Sequence, residues 1–192
     1  MILSCKNTFK EIEKICPATA LIPVCSNPEM FDLTARLAEL IASGMNEPVY
    51  LLNVWPFPAS GDSGSISVSD GTIWRVCYDL AEGLVQNHIS KIIFMNGLGS
   101  VESISALPVG NSIMKTIVRQ MNQEIKGQQA IWFQPFRTAR SLLLEKYQEI
   151  TDHDLIDSLL AETYLGNELT RIIVNSCTEY IYNALNKLLQ NT

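Results

Sequence analysis

Among side chains able to activate water or ligate a metal, histidine is the scarcest in this sequence of 192 residues, with two against 20 carboxylates and five thiols. The histidines are His88 and His153. His88 ends a predicted helix just before a strand, where positive charge complements the helix dipole, so a structural role is expected. His153 stands in "ITDHDLID" between Asp152 and Asp154. Three successive residues cannot face one point on a helix, so a helix-start cap is expected there rather than a metal site. Asp32 opens the helix after the first buried strand. It reads either as a first-turn carboxylate or as a base or ligand at the strand's carboxyl end. Glu29 shares its loop, with solvated surface as the default. Glu102 follows an Asn-Gly turn and reads as a general base or as an ordinary first-turn helix residue. Ser60, Ser63, Ser65 and Ser67 can donate hydrogen bonds to a ligand. No G-x-S-x-G elbow and no Asp–His pair accompanies them, which argues against a serine hydrolase. "GLGSVES" (97–103) carries Glu where a dinucleotide loop needs its third Gly.

These residues must be held by strands and helices, and the elements are legible from periodicity. "NTFKEIEKIC" (7–16) has apolar residues at helical spacing. "ATALIPV" (18–24) reads as a buried strand, and "FDLTARLAELIASG" (31–44) as a helix stopped by Gly44. "VYLLNVW" (49–55) is a second buried strand. A turn-rich loop, "PFPASGDSG" (56–64), leads to a short strand, "SISVS" (65–69). A helix over 71–88 follows, capped by Asp70. "KIIFMNG" (91–97) is a third buried strand, residues 112–125 a helix, and "QAIWFQPF" (129–136) a fourth buried strand. Two amphipathic helices, 138–150 and 167–189, complete the chain. Helices alternating with uniformly apolar strands predict one α/β domain over 1–192: a three-layer α/β/α architecture with a mostly parallel central sheet.

Composition narrows the function classes. Apolar residues make up 47% and charged residues 18%, as in a globular protein. The net charge is −6 and no Lys or Arg cluster occurs, so neither nucleic acid nor an anionic membrane is an expected partner. Five cysteines, Cys5, Cys16, Cys25, Cys77 and Cys177, include no C-x-x-C pair. Buried thiols in a reducing cytoplasm are expected. The amino terminus turns charged too early for a signal h-region, and no apolar run reaches membrane-spanning length.

Three stretches together resemble the creatininase (creatinine amidohydrolase) family. "ATALIPVCS" is similar to that family's first strand, which runs into a Pro-Val-Gly-Ser turn, here Pro23, Val24, Cys25 and Ser26. "SGSISVS" (63–69) is similar to its Gly-Thr-Ile-Ser-Leu stretch. "IIFMNGLGS" (92–100) resembles its apolar strand ending Asn-Gly-His-Gly, here Asn96, Gly97, Leu98 and Gly99. The resemblance implies a pocket at these strand ends, with Ser26, Ser65, Asn96, Gly97, Leu98 and Gly99 as ligand-binding positions. It also implies two divalent ions, usually zinc or manganese, that activate a bridging water to attack an amide or cyclic amide carbonyl. The family's ligands are a Glu-x-His pair, an Asp, the His of Asn-Gly-His-Gly and a later Glu.

Carried over residue by residue, that ligand set breaks. The Glu position falls on Pro28, or with a one-residue shift on Glu29, and the His position falls on Met30. The loop between that pair and the Asp is missing. Asp32 matches the Asp, Leu98 replaces the second His, and Glu162 in "AET" (161–163) weakly matches the later Glu. Leucine offers no lone pair and a thioether suits a hard ion poorly. The donor count therefore favours a scaffold without a working metal centre and with no cofactor: a binding or regulatory protein, or the inactive partner of an active relative. If a metal does bind, Asp32, Glu29, Cys25 and Glu162 are its ligands, with zinc or manganese as the ion. The alternatives are a divergent metal-dependent amidohydrolase using carboxylates, and a metal-free enzyme with Asp32 or Glu102 as base. The family's ring-like hexamers imply a homo-oligomer or pairing with a related chain. Trp55, Phe57, Trp74, Trp132 and Phe136 are candidate interface aromatics.

Overall fold

The computed structural model describes residues 1–4, 12, 14–25, 30–56, 69–97, 111–147 and 164–190. In chain order the elements are β1 (Ile2–Ser4), β2 (Thr19–Cys25), α1 (Phe31–Gly44), β3 (Val49–Leu51), β4 (Trp55–Pro56), α2 (Asp70–Gln86), β5 (Lys91–Asn96), α3 (Asn111–Glu124), β6 (Gln129–Phe133), α4 (Pro135–Tyr147) and α5 (Tyr164–Gln190). The strands lie in the order β1-β3-β2-β5-β6, with β4 also on β2, and every pairing is parallel.

The period of two along the strands builds the layers. Leu21, Cys25, Ile93, Met95, Ile131 and Phe133 face a cluster completed by α1, α4 and α5. Ala20, Ile22, Val24, Ile92, Phe94 and Ala130 face the other way, onto α2 and α3. The α/β/α sandwich with a parallel sheet is therefore as the sequence predicts. Of the helix expected over 7–16, residues 12 and 14–16 are described: 12, 14 and 15 are helical, and Cys16 lies past the end at φ 46°. "SISVS" lies outside the described residues, apart from Ser69.

Several boundaries differ, each for a local reason. The expected strand 49–55 is broken, because its neighbour carries Pro23. Leu51 pairs with Leu21 and Trp55 with Val24, so three residues bulge opposite two where Pro23 has no N–H to give. Ser69, not Asp70, caps α2: its Oγ accepts from the Thr72 N–H at 3.3 Å. Pro135 and Phe136 begin α4 rather than ending β6, since proline suits the first helical position. Gly44 is the last residue of α1 rather than a stop beyond it. An added Cβ there would come within 2.7 Å of Val174 Cγ1, so the glycine permits close packing of α1 on α5. The three-residue edge strand β1 has too little pattern to be seen in sequence.

Among the described residues β6 is the opposite edge strand, and a side chain protects it. Asn122 of α3 donates from Nδ2 to the Ala130 carbonyl at 2.8 Å and accepts from its N–H at 2.6 Å. A backbone edge that would otherwise recruit another strand is thereby closed at that point.

His88 has the expected structural role, by an unexpected route. It sits at φ 64°, just past the end of α2. Its N–H donates to Val85 O at 2.9 Å, and Ile89 N–H reaches back to Leu84 O at 2.9 Å. This is a Schellman closure with histidine in the left-handed position that usually takes glycine. His88→Gly is expected to stabilise the protein by about 1 kcal/mol, and His88→Val to destabilise it. Urea unfolding measures both, and a neutral or unfavourable glycine would refute the strain.

Cys77 and Cys177 are fully buried, and burial pushes both thiols up to about 12 from the ordinary 9.0. Above about pH 9 the unfolded chain loses thiol protons that the folded chain keeps, so stability should fall as pH rises. Native-state labelling of these thiols should proceed only as fast as the chain opens. Rapid labelling of either at neutral pH would contradict this burial.

Candidate site at the strand ends

The chain leaves β2 through α1 on one face of the sheet, while β5 continues to β6 through α3 on the other. Adjacent strands whose connections part in this way leave a crevice beyond their carboxyl ends, where open α/β sheets bind ligands. Among the described residues that crevice is edged by Val24, Cys25, Asn96 and Gly97, with the start of α1 beside it.

Register brings the two strand ends together. Val24 pairs with Asn96, and the Gly97 N–H donates to Val24 O at 2.5 Å. Thr34 of α1 is fully buried against this turn. A Cβ added to Gly97 would lie 2.6 Å from Val24 O and 2.7 Å from Thr34 Cγ2. Glycine is therefore required by closeness of approach. Thr34 was not singled out in sequence, although it lies three residues before Leu37 on the same helical face. Asn96 is 6% exposed, and its Nδ2 has no hydrogen-bond partner among the described residues. A buried, unanswered amide donor at a strand end is a polar group available to a ligand.

The possible metal donors are arranged differently. Asp32 is exposed in the first turn of α1, where the residue before the helix, Met30, makes no side-chain cap. About 200° of helical turn separates Asp32 from the inward Thr34. Met30 is 4% exposed and Cys25 is 2% exposed, and both belong to the apolar cluster beneath α1. Among the described residues no three His, Cys, Asp or Glu side chains are grouped to hold a metal ion. The donors in view do not suit zinc or manganese: a thioether and a thiol packed in the core, and one solvated carboxylate. Ser26, Glu29, Ser65, Leu98, Gly99, Glu102 and Glu162 lie outside the described residues, as does His153.

The aromatics proposed for an interface are largely engaged within the chain. Phe136 is core. Trp74 stacks on Tyr78 at 4.0 Å between centroids and donates to Gln120 Oε1 at 3.0 Å. Trp55 and Trp132 are half-buried against the α2–α3 cluster, and Phe57 is outside the described residues. Among the described residues no helix is long and apolar enough to cross a membrane.

No protein-family model matches the chain, and no curated protein does. Solved structures do. A creatininase described with manganese superposes with a TM-score of 0.66 at 10% identity, covering 96% of this chain and 99% of that one. A creatinine amidohydrolase gives 0.66 at 11% identity, covering 95% and 97%. A mutant creatininase complexed with creatine gives 0.64 at 10% identity, covering 95% and 98%. These matches span nearly the whole chain at 10–11% identity: this chain has a creatininase-like fold.

Proposed function

We propose that this chain is a creatininase-like scaffold whose metal centre has degenerated, serving as a non-catalytic binding or regulatory protein or as the inactive partner of a related subunit. The observation that carries this reading is the burial of Met30. The position aligned by resemblance with a metal-binding histidine is here a thioether packed with Cys25 and Leu33 in the apolar cluster. Leu98 at the second histidine position supports it from sequence. Asn96 and Gly97 would remain as ligand-binding positions, with Ser26, Ser65, Leu98 and Gly99 as the other proposed wall residues.

The second reading, a divergent metal-dependent amidohydrolase, is favoured by one observation: Asp32 has an exposed carboxylate in the first turn of the helix that leaves β2. Incubating the protein with creatinine and small cyclic amides, in the presence of zinc or manganese, separates the two. The scaffold reading expects no turnover above the metal blank. Metal-dependent turnover that vanishes in Asp32→Asn would establish the enzyme instead.

Self-association, or pairing with a related chain, is proposed as well. Leu142 and Leu144 of α4 and Leu189 of α5 are exposed apolar side chains available to a contact. Light scattering at micromolar concentration should report more than one chain per particle. A monomer that also binds no partner from its source would rule this out.

A further inference from the structure

A cleft of about 360 Å³ opens beyond the carboxyl end of β6, the strand next to the β2–β5 crevice. Three helices supply its walls: Lys115 comes from α3, Arg137 from the first turn of α4, and Tyr180 from α5, with Trp132 and Phe133 of β6 between them. Phe133 is buried, and its ring lies 6.0 Å from that of Tyr180, tilted by 32°. The volume is at the small end of the range for small-molecule sites.

We infer that this cleft binds a small oxyanion, a carboxylate or a phosphate monoester, carried on a flat apolar body. The charge argument is one of contrast. The chain has 20 acidic against 14 basic residues. Two lysines elsewhere are held by carboxylates: Lys91 pairs with Glu47 at 2.9 Å, and Lys146 with Glu168. Among the described residues Lys115 and Arg137 share one cleft, no carboxylate lines it, and neither is in an ion pair. The start of α4 adds to the same field. Its first intrahelical bond is Thr138 N–H to Gln134 O at 3.0 Å, which leaves the N–H groups of Phe136 and Arg137 outside the helical ladder. A guanidinium holds an oxyanion through two parallel bonds, and an ammonium through one strong point charge. The aromatic side chains give the flat body its wall. None of these residues is a candidate metal ligand, so the inference stands whether or not the neighbouring crevice holds a metal.

Ligand-observed NMR titrations of the intact chain test it, with benzoate, phenyl phosphate, inorganic phosphate and benzamide as probes, and Trp132 fluorescence as the local reporter. Benzoate or phenyl phosphate should bind saturably, and whichever is tighter identifies the headgroup. Benzamide, flat but neutral, should bind at least roughly tenfold more weakly, as should the tighter anion to Arg137→Gln or Lys115→Gln. Both side chains are exposed, so these variants should fold like the parent; the benzamide comparison needs no variant at all. Benzamide binding as tightly as the anions, no saturable binding of either aromatic anion, or undiminished binding by both folded variants would overturn the site. Inorganic phosphate binding as tightly as phenyl phosphate would overturn the aromatic wall.

Discussion

Replacing Gly97 by alanine should cost about 3 kcal/mol or more, a large share of the stability of a domain this size. The new methyl would stand 2.6 Å from a backbone carbonyl, Val24 O, and 2.7 Å from the Thr34 methyl. A side chain can swing aside, but the carbonyl is fixed by its place in β2 and by its bond from the Gly97 N–H. The turn must therefore open, separating β2 from β5 at the edge of the crevice. Thr34→Ala should relieve the side-chain half of the conflict only. The double variant is expected to recover part of the loss, and the coupling between the two sites should be measurable by a double-mutant cycle in urea. Gly97→Ala within about 0.5 kcal/mol of the parent would show that this approach is not as close as described.

Met30→His is expected to cost about 2–4 kcal/mol in metal-free buffer. An imidazole would replace a flexible thioether inside an apolar cluster that offers it no evident hydrogen-bond partner. Zinc should not restore the loss, either alone or when Leu98→His is added. The reason is geometric: position 30 lies in the apolar cluster beneath α1, where its side chain is 4% exposed. A scaffold that had lost only its donor atoms would behave differently. Its double variant would gain zinc affinity and a zinc-dependent rise in melting temperature, since a ligand bound to the folded state stabilises it. Thermal melts with and without zinc distinguish the two outcomes.

Much of this fold is legible in sequence because the central strands are apolar on both faces. Residues 19–25 and 91–96 need no alternation to be recognised, and α1 follows from Leu33, Leu37, Leu40 and Ile41 on one face. Features that depend on a partner are hidden. The break between β3 and β4 is imposed by Pro23 on the neighbouring strand, and Gly44 answers to Val174, far away in sequence. The Asn96–Gly97 turn stands out because small residues end an apolar run, but that Gly97 is compelled by Val24 and Thr34 is not readable locally. The Lys115–Arg137 cleft left no signal, since its walls come from three helices and one strand. Of the candidate interface aromatics, Phe136 is core and Trp74 stacks on Tyr78, and neither placement is readable from local sequence.

The most direct test of the central claim is metal stoichiometry. The protein is purified without chelator, exposed to excess zinc and manganese, passed through a desalting column and analysed by mass spectrometry for bound metal. A scaffold whose ligand positions have become Met30 and Leu98 should retain no stoichiometric metal, and Asp32→Asn should change nothing. One or two equivalents of zinc or manganese per chain, lost in Asp32→Asn, would contradict the account and make the amidohydrolase the better description.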